Sequence, residues 1–392
     1  VSRIVAVQPW FRVAFALFGV GWGANQFSSL LVVYRDHEHL AATVVALLFG
    51  AYAVGLVPAL LIAASVSDRF GRRRVTLPVL VLAAVASVVL CLAGDHVWGV
   101  AVGRMLAGIA SGGAFGPGTA WVKELSADAA PGAGARRAAV ALSSGFGGGP
   151  LVAGVLAQWL PLPTVVPYLT HVAVMVVVLA LVWHVRETVP PNWPGRQVRR
   201  SDLRATLRHP EFRYGVAPAA PFVFGTATAS FAVLPGMVRL HGLGVVLGGI
   251  VAGLTLGTGV LVQPLARRMN GSTHRAGVAL TATGFVLGSL TIHWATPVLL
   301  APTAVVLGAG YGMLLVAGLT AVERLAAPED LAGVTAIYYC LTYVGFATPY
   351  VVTAIGTRIP PSVLFLVAAA VAVATIPLST LLGRTLTSHD EE

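Results

Sequence analysis

The stretch Ala64-Ser65-Val66-Ser67-Asp68-Arg69-Phe70-Gly71-Arg72-Arg73-Arg74 decides how this chain is read. One acid and four arginines crowd around a glycine, between two long apolar runs. Hydrocarbon offers no partner to a loose charge or an unpaired backbone group, so such a turn must lie at a membrane face. The chain has 392 residues, 57% of them apolar and 10% charged, where soluble domains carry about 25% charge. The mean hydropathy of +0.83 makes lipid the solvent of most of the surface.

Apolar stretches of about 20 residues, the length that crosses a bilayer as a helix, recur along the whole sequence. Twelve are read at 10–34, 42–66, 76–94, 97–122, 138–160, 165–185, 214–237, 244–265, 276–293, 297–322, 334–355 and 361–382. Their length and unbroken apolarity point to helices, because barrel strands are shorter and alternate. The first run is too long for a signal-peptide core and lacks a small-residue cleavage site, so it is read as a retained span.

The net charge of +10 would suit a nucleic-acid partner, but its distribution does not. With the N-terminus placed in the cytoplasm, all of the 25 Lys and Arg except Arg35, Arg104, Arg239 and Arg358 fall on the cytoplasmic side. That bias sets both termini inside and accounts for the basic balance without nucleic acid. Cys91 and Cys340 lie within spans, far apart, and read as small buried residues. No Cys/His spacing suggests a metal site.

The longest polar interruption, 186–213, contains Pro190, Pro191, Pro194, Arg199, Arg200, Arg204 and Arg208. Leu203 and Leu207 behind Ser201 fit a short helix on the membrane surface; a solvated linker is the other reading. It divides the chain into an N-terminal six-helix bundle (1–185), a cytoplasmic loop (186–213) and a C-terminal six-helix bundle (214–392). The halves repeat at an offset near 200. Val122-Lys123-Glu124-Leu125 begins 27 positions before Gly149, and Val322-Glu323-Arg324-Leu325 begins 27 positions before Pro349. Gly71 matches Gly271, whereas Asp68 matches Arg268, so the charged turn is specialised in the first half. Repeats of this kind form two bundles about a pseudo-twofold axis, with a site between them near the bilayer midplane.

The chain resembles the major facilitator superfamily. Asp68, Arg69, Gly71, Arg72 and Arg73 match the family's loop pattern Gly-x-x-x-Asp-Arg-x-Gly-Arg-Arg, with Ala64 in place of its leading glycine. Arg104 and Gly108 match a motif of span four, with Ala107 replacing its glutamine. Gly145, Gly149, Pro150 and Gly154 match a span-five motif of exporters, especially drug:proton antiporters, with Ala153 replacing one glycine. The resemblance implies an all-α membrane protein of twelve helices working by alternating access. It also implies a latch in which Asp68 caps the start of span eleven near 333–335 while Arg72 pairs with Glu124. A solvated positive-inside turn is the plainer alternative.

Arg104 is the only cation placed inside a span; it reads either as a snorkelling, carbonyl-pinning residue or as a cavity charge acting on substrate or on a proton site. Asp36 and His171 are the other candidates for proton coupling, because all Asp and Glu lie in loops, tails or span ends. Gly145, Gly149, Pro150 and Gly154 let span five pack closely and bend. Trp22, Asn25, Gln26 and Ser29 share one face of span one. Phe224, Thr228 and Phe231 on span seven, Tyr311 and Met313 on span ten, and Tyr339 and Tyr343 on span eleven complete the candidate cavity.

The expectation is a secondary active transporter of a bacterial plasma membrane, driven by a proton gradient and needing no cofactor. Its substrate would be a small amphipathic compound, neutral or anionic, because no carboxylate waits in a span for a cation. Partners are then lipid, substrate and protons, with no nucleic acid, and the chain acts as a monomer. An importer or uniporter of the same fold is the rival, and a non-transporting membrane sensor is the alternative of another class. There is no nucleotide-binding glycine-rich Lys-Ser/Thr loop and no nucleophile–base pair in a span, which speaks against a nucleotide-driven pump and an enzyme.

Overall fold

The computed structural model describes residues 8–189, 203–238, 243–327 and 330–387, the side chains of 270, 332 and 377–387 excepted. The described residues are nearly all helical and contain no strand. The chain divides into two compact units, Val1–Gln197 and Val198–Glu392. The first holds α1 (Pro9–Asp36), α2 (Ala42–Phe70), α3 (Arg72–Ala93), α4 (Val97–Glu124), α5 (Ala133–Trp159) and α6 (Val166–Val182). The second holds α7 (Phe212–Met237), α8 (Gly244–Arg268), α9 (Thr273–His293), α10 (Pro297–Leu325), α11 (residues 331–355) and α12 (Pro361–Thr387). They fall on the twelve expected spans, and among the described residues nine are long and apolar enough to cross a membrane, as a multi-pass membrane protein requires. A short helix, Leu203–Arg208, precedes α7; Ser201, its expected cap, lies outside the described residues, as do Pro190, Pro191, Pro194, Arg199, Arg200 and Arg239.

Four spans depart from plain α-helix where the sequence removes backbone donors or adds side-chain competitors; the eighth breaks at Val262, ahead of Pro264, into Gly244–Leu261 and Gln263–Arg268. The ladder of α1 is interrupted at Gln26, beside Ser28, whose hydroxyl bonds back to the Asn25 carbonyl at 2.7 Å. The seventh span, rich in proline, contains two π-helical turns, Phe212–Val216 and Ala229–Val233. The eleventh, expected as one helix, runs as Leu331–Tyr343, a 3-10 turn Val344–Ala347 and Thr348–Ile355. Pro349 has no N–H to give the Gly345 carbonyl, four residues back. The Thr228 hydroxyl donates to that carbonyl instead, at 2.9 Å. The fifth span stays one unbroken helix through Pro150.

Helix contacts in lipid rest on close backbone approach, because lipid tails are as apolar as Leu and no hydrophobic force separates them from the helices. Glycines supply it, and they do so twice, 200 positions apart. A Cβ on Gly108 or Gly112 of α4 would strike the Tyr52–Leu60 backbone of α2. One on Gly308 or Gly312 of α10 would strike the Thr255–Gly259 backbone of α8. Gly145 lies against Phe18 and Trp22 of α1, and Gly345 lies against Pro221, Phe224 and Gly225 of α7. The repeat therefore conserves packing geometry inside each unit. Its exceptions are charged: Ala304, fully buried, stands where the first half has Arg104.

Gly112→Val should overpack the α2–α4 contact and cost about 1–3 kcal/mol, lowering the melting temperature in detergent. Gly50→Ala, where a Cβ meets nothing within 4 Å, should leave it unchanged or raise it slightly. Equal behaviour of the two variants would contradict the packing account.

Candidate functional site

Arg104 sits in α4, two turns from its N-terminal end, and is 0% exposed. Its Nη1 donates to the Ala24 carbonyl at 3.3 Å and its Nη2 to the Phe49 carbonyl at 3.2 Å. The guanidinium carbon lies 4.6 Å from the ring centre of Phe27, 4.9 Å from Tyr52 and 5.7 Å from Phe49. Among the described residues no carboxylate pairs with it, and its Nε–H has no hydrogen-bond partner. A charge at the centre of a spanning helix costs about 2.5–3.5 kcal/mol on insertion scales. Ring quadrupoles return about 0.5–2 kcal/mol each where dry, and carbonyl bonds to a charged group about 1.5–3 kcal/mol. The cage thus holds the cation without neutralising it.

Behind this cage α1, α3 and α6 share a buried polar chain. His171 Nε2 donates to the Gly19 carbonyl at 2.9 Å, which leaves Nδ1 as the acceptor. The Ser87 hydroxyl donates to Nδ1 at 2.7 Å and accepts from Gln26 Nε2 at 3.2 Å. Both imidazole nitrogens of the neutral ring are therefore satisfied. Two polar atoms on the same face of α1 are not: Gln26 Oε1 and Trp22 Nε1 are buried with no hydrogen-bond partner. Ser29 donates to the Pro150 carbonyl at 2.5 Å, tying the interruption of α1 to the glycine–proline motif of α5. Asn25 is buried beside it. The missed member is Ser87, one small hydroxyl in an apolar span, which no spacing distinguishes.

The second unit gathers aromatic rings. Phe224 stacks on Tyr343 at 4.6 Å between centres, and meets Phe346 at 5.5 Å and Tyr311 at 5.8 Å. Phe346 was not singled out from the sequence; its place follows from the 3-10 turn, which shifts the helical face. Thr228 is buried on the same span, and Phe231 lies within the second π turn. Tyr339 neighbours Tyr338, with ring centres 6.0 Å apart. Met313 packs into a separate small core with Ala266 and Val316.

At the arginine-rich end of the first unit, Arg72 bridges Asp68 and Glu124, the latter at 3.0 Å. Thr188 donates its hydroxyl to Glu124. Arg73 grips the Trp183 carbonyl at 2.6 Å, while Arg69 lies 5.3 Å from the Phe70 ring and takes no part in the cluster. The residue that organises the turn is Glu187. Its carboxylate accepts from the amides of Arg72 and Arg73, at 2.8 and 2.9 Å, at the N-terminus of α3. It also accepts from the amides of Thr188 and Val189. This satisfies free helix-end donors and opposes the positive end of the dipole. Gly71 is held at φ +106°, and a Cβ there would lie 2.8 Å from the Glu187 carboxyl carbon. Glycine is required on both counts. At the opposite end, Asp36 is 52% exposed and bonded to its neighbour Arg35 at 2.7 Å. Among the described residues no group of His, Cys, Asp and Glu is placed to hold a metal.

A sequence profile described as Major Facilitator Superfamily matches residues 13–279. None of the curated protein sequences compared matches the chain. Among solved structures, a POT family transporter in complex with 5-aminolevulinic acid superposes with a TM-score of 0.76 at 13% identity, covering 96% of both chains. A peptide transporter POT mutant with sulfate gives 0.76 at 14%, covering 96% of this chain and 94% of that one. The nucleoside transporter NupG gives 0.70 at 12%, covering 93% and 97%. At these identities the likeness is one of fold.

Glu187→Gln should weaken the helix cap by about 1 kcal/mol and lower the melting temperature by a few degrees. Gly71→Ala should cost more, because it adds backbone strain of about 1–3 kcal/mol to the lost contact. A Gly71→Ala protein as stable as the parent would contradict the assigned geometry.

Proposed function

Because the chain belongs to the Major Facilitator Superfamily and is a transporter rather than an enzyme, we propose that it is a secondary active exporter. It moves small amphipathic compounds by alternating access in exchange for protons. The carrying observation is Arg104, a buried cation held by carbonyls and rings, with no carboxylate among the described residues to cancel it. A cavity that feels this charge favours neutral or anionic amphipaths over cations. The aromatic cluster around Phe224 supports an apolar body for the ligand, and two of the similar structures hold 5-aminolevulinic acid and sulfate. The arginine bias supports both termini lying in the cytoplasm; the reading further takes the protein to be a monomer of a bacterial plasma membrane that works without a cofactor.

His171 serves as the proton site in this reading, and the buried chain supports it. A proton on Nδ1 turns the Ser87 oxygen into an acceptor, so its hydroxyl must donate elsewhere. Rotation of the Gln26 amide brings the orphan Oε1 to receive it. The groups facing the ring are Gly19, Gly23 and Trp22 of α1 and Ser87 of α3, none of them charged. Asp36, exposed and paired with Arg35, is the weaker candidate. The cluster of Asp68, Arg72, Glu124 and Glu187 acts as the cytoplasmic latch, which opens when the ion pairs of Arg72 break.

The test is flux of a neutral or anionic amphipathic probe in proteoliposomes under an imposed pH gradient. The gradient should drive the probe uphill against proton flow. Arg104→Ala should abolish transport. His171→Ala and the milder Ser87→Ala should leave downhill flux but flatten its response to the gradient. Asp68→Asn should slow transport at least tenfold with membrane insertion intact. Downhill flux indifferent to the gradient in the parent protein would make it a uniporter and overturn the coupling.

A further inference from the structure

The first unit carries a second cavity, at its arginine-rich end, that the transport reading does not use. It is an open trough of about 520 Å³ between α1 and α5, lined by Trp10, Phe11, Phe15, Phe18, Val140 and the pair Arg136 and Arg137, with two alanines as floor. The wall is built rather than frayed. Phe15 and Phe18 lie stacked with centres 5.6 Å apart, and Trp10 meets Phe11 edge-on at 5.7 Å. Arg137 lies 3.8 Å over the Trp10 ring and donates to the Ser126 hydroxyl at 3.0 Å. That leaves its guanidinium fixed but still charged. Arg136, one residue earlier, is exposed. Among the described residues neither arginine is paired with a carboxylate.

An aromatic trough closed at one end by two uncompensated guanidinium groups has one complementary chemistry. We propose that this cavity binds a planar apolar acid, its ring against Phe11, Phe15 and Phe18 and its carboxylate on Arg136 and Arg137. The size suits a drug-sized molecule and is too small for a whole two-tailed phospholipid. Apolar burial anchors the body, and the planar forks of arginine suit a carboxylate. As a station where an acid is gathered before transport the site rests on the export reading, but its occupancy requires no flux.

The experiment is equilibrium binding of 2-naphthoate and of its neutral isostere 2-naphthamide to the purified full chain, first in non-ionic detergent. The acid should bind at least about tenfold more tightly than the amide. Arg136→Gln, at an exposed position, should remove most of that gap; Val140→Trp, also exposed, should weaken both ligands by filling the trough. The site is read by equilibrium binding and the proposed function by flux, so that failure of one is distinguishable from failure of the other. Equal binding of acid and amide, or an acid preference that survives Arg136→Gln, would overturn the proposal. In nanodiscs, binding should be the same in phosphatidylcholine and in a mixture with phosphatidylglycerol; abolition by phosphatidylglycerol would mark a lipid-headgroup site and equally overturn it.

Discussion

A charge placed in hydrocarbon must be satisfied by the protein around it, and Arg104 is where this chain meets that constraint. Among the described residues the solution uses no carboxylate. It uses the carbonyls of Ala24 and Phe49 and the faces of Phe27, Phe49 and Tyr52, drawn from two helices, α1 and α2. The arginine-bearing α4 comes close enough to α2 because Gly108 and Gly112 present no side chain there. The interruption of α1 falls beside Ala24 and also places Gln26 against Ser87. Cation, glycine contact and polar chain are therefore one construction, and a change in any of them alters the field in the others.

The two units solve the same packing problem with different chemistry. Gly108, Gly112 and Gly145 have counterparts at Gly308, Gly312 and Gly345, all doing the same steric work. Two charges were not duplicated: Ala304 replaces Arg104, and Arg268 replaces Asp68. The second unit instead concentrates rings around Phe224 and relieves Pro349 with Thr228.

The fold was legible because its signals are local. Continuous apolarity marks a span, an arginine-rich turn marks a membrane face, and a Gly-x-x-x-Gly run marks a contact. Arg104 and His171 were visible for the same reason, as polar exceptions in apolar runs. Glu187 was not, since nothing in a central loop reveals a carboxylate that caps a helix beginning at Arg72, 115 positions earlier. Ser87 was hidden because serine is common in spans, and its role depends on the register of α3 against α6. Phe346 escaped because helical faces were drawn with a constant period, and the 3-10 turn at Val344–Ala347 breaks it. Met313 joined the cavity set because the resemblance places span ten at the cavity, which does not tell which neighbour each of its faces meets.

The central claim is that an unneutralised Arg104 sets the sign of what this protein carries. It is tested most directly by comparing transport of a permanent quaternary ammonium compound with that of its neutral tert-butyl isostere, in proteoliposomes holding the parent protein. The account predicts that the neutral compound is carried clearly faster and that the cation neither competes with it nor is accumulated. Faster handling of the cation, unaffected by Arg104→Ala, would contradict it.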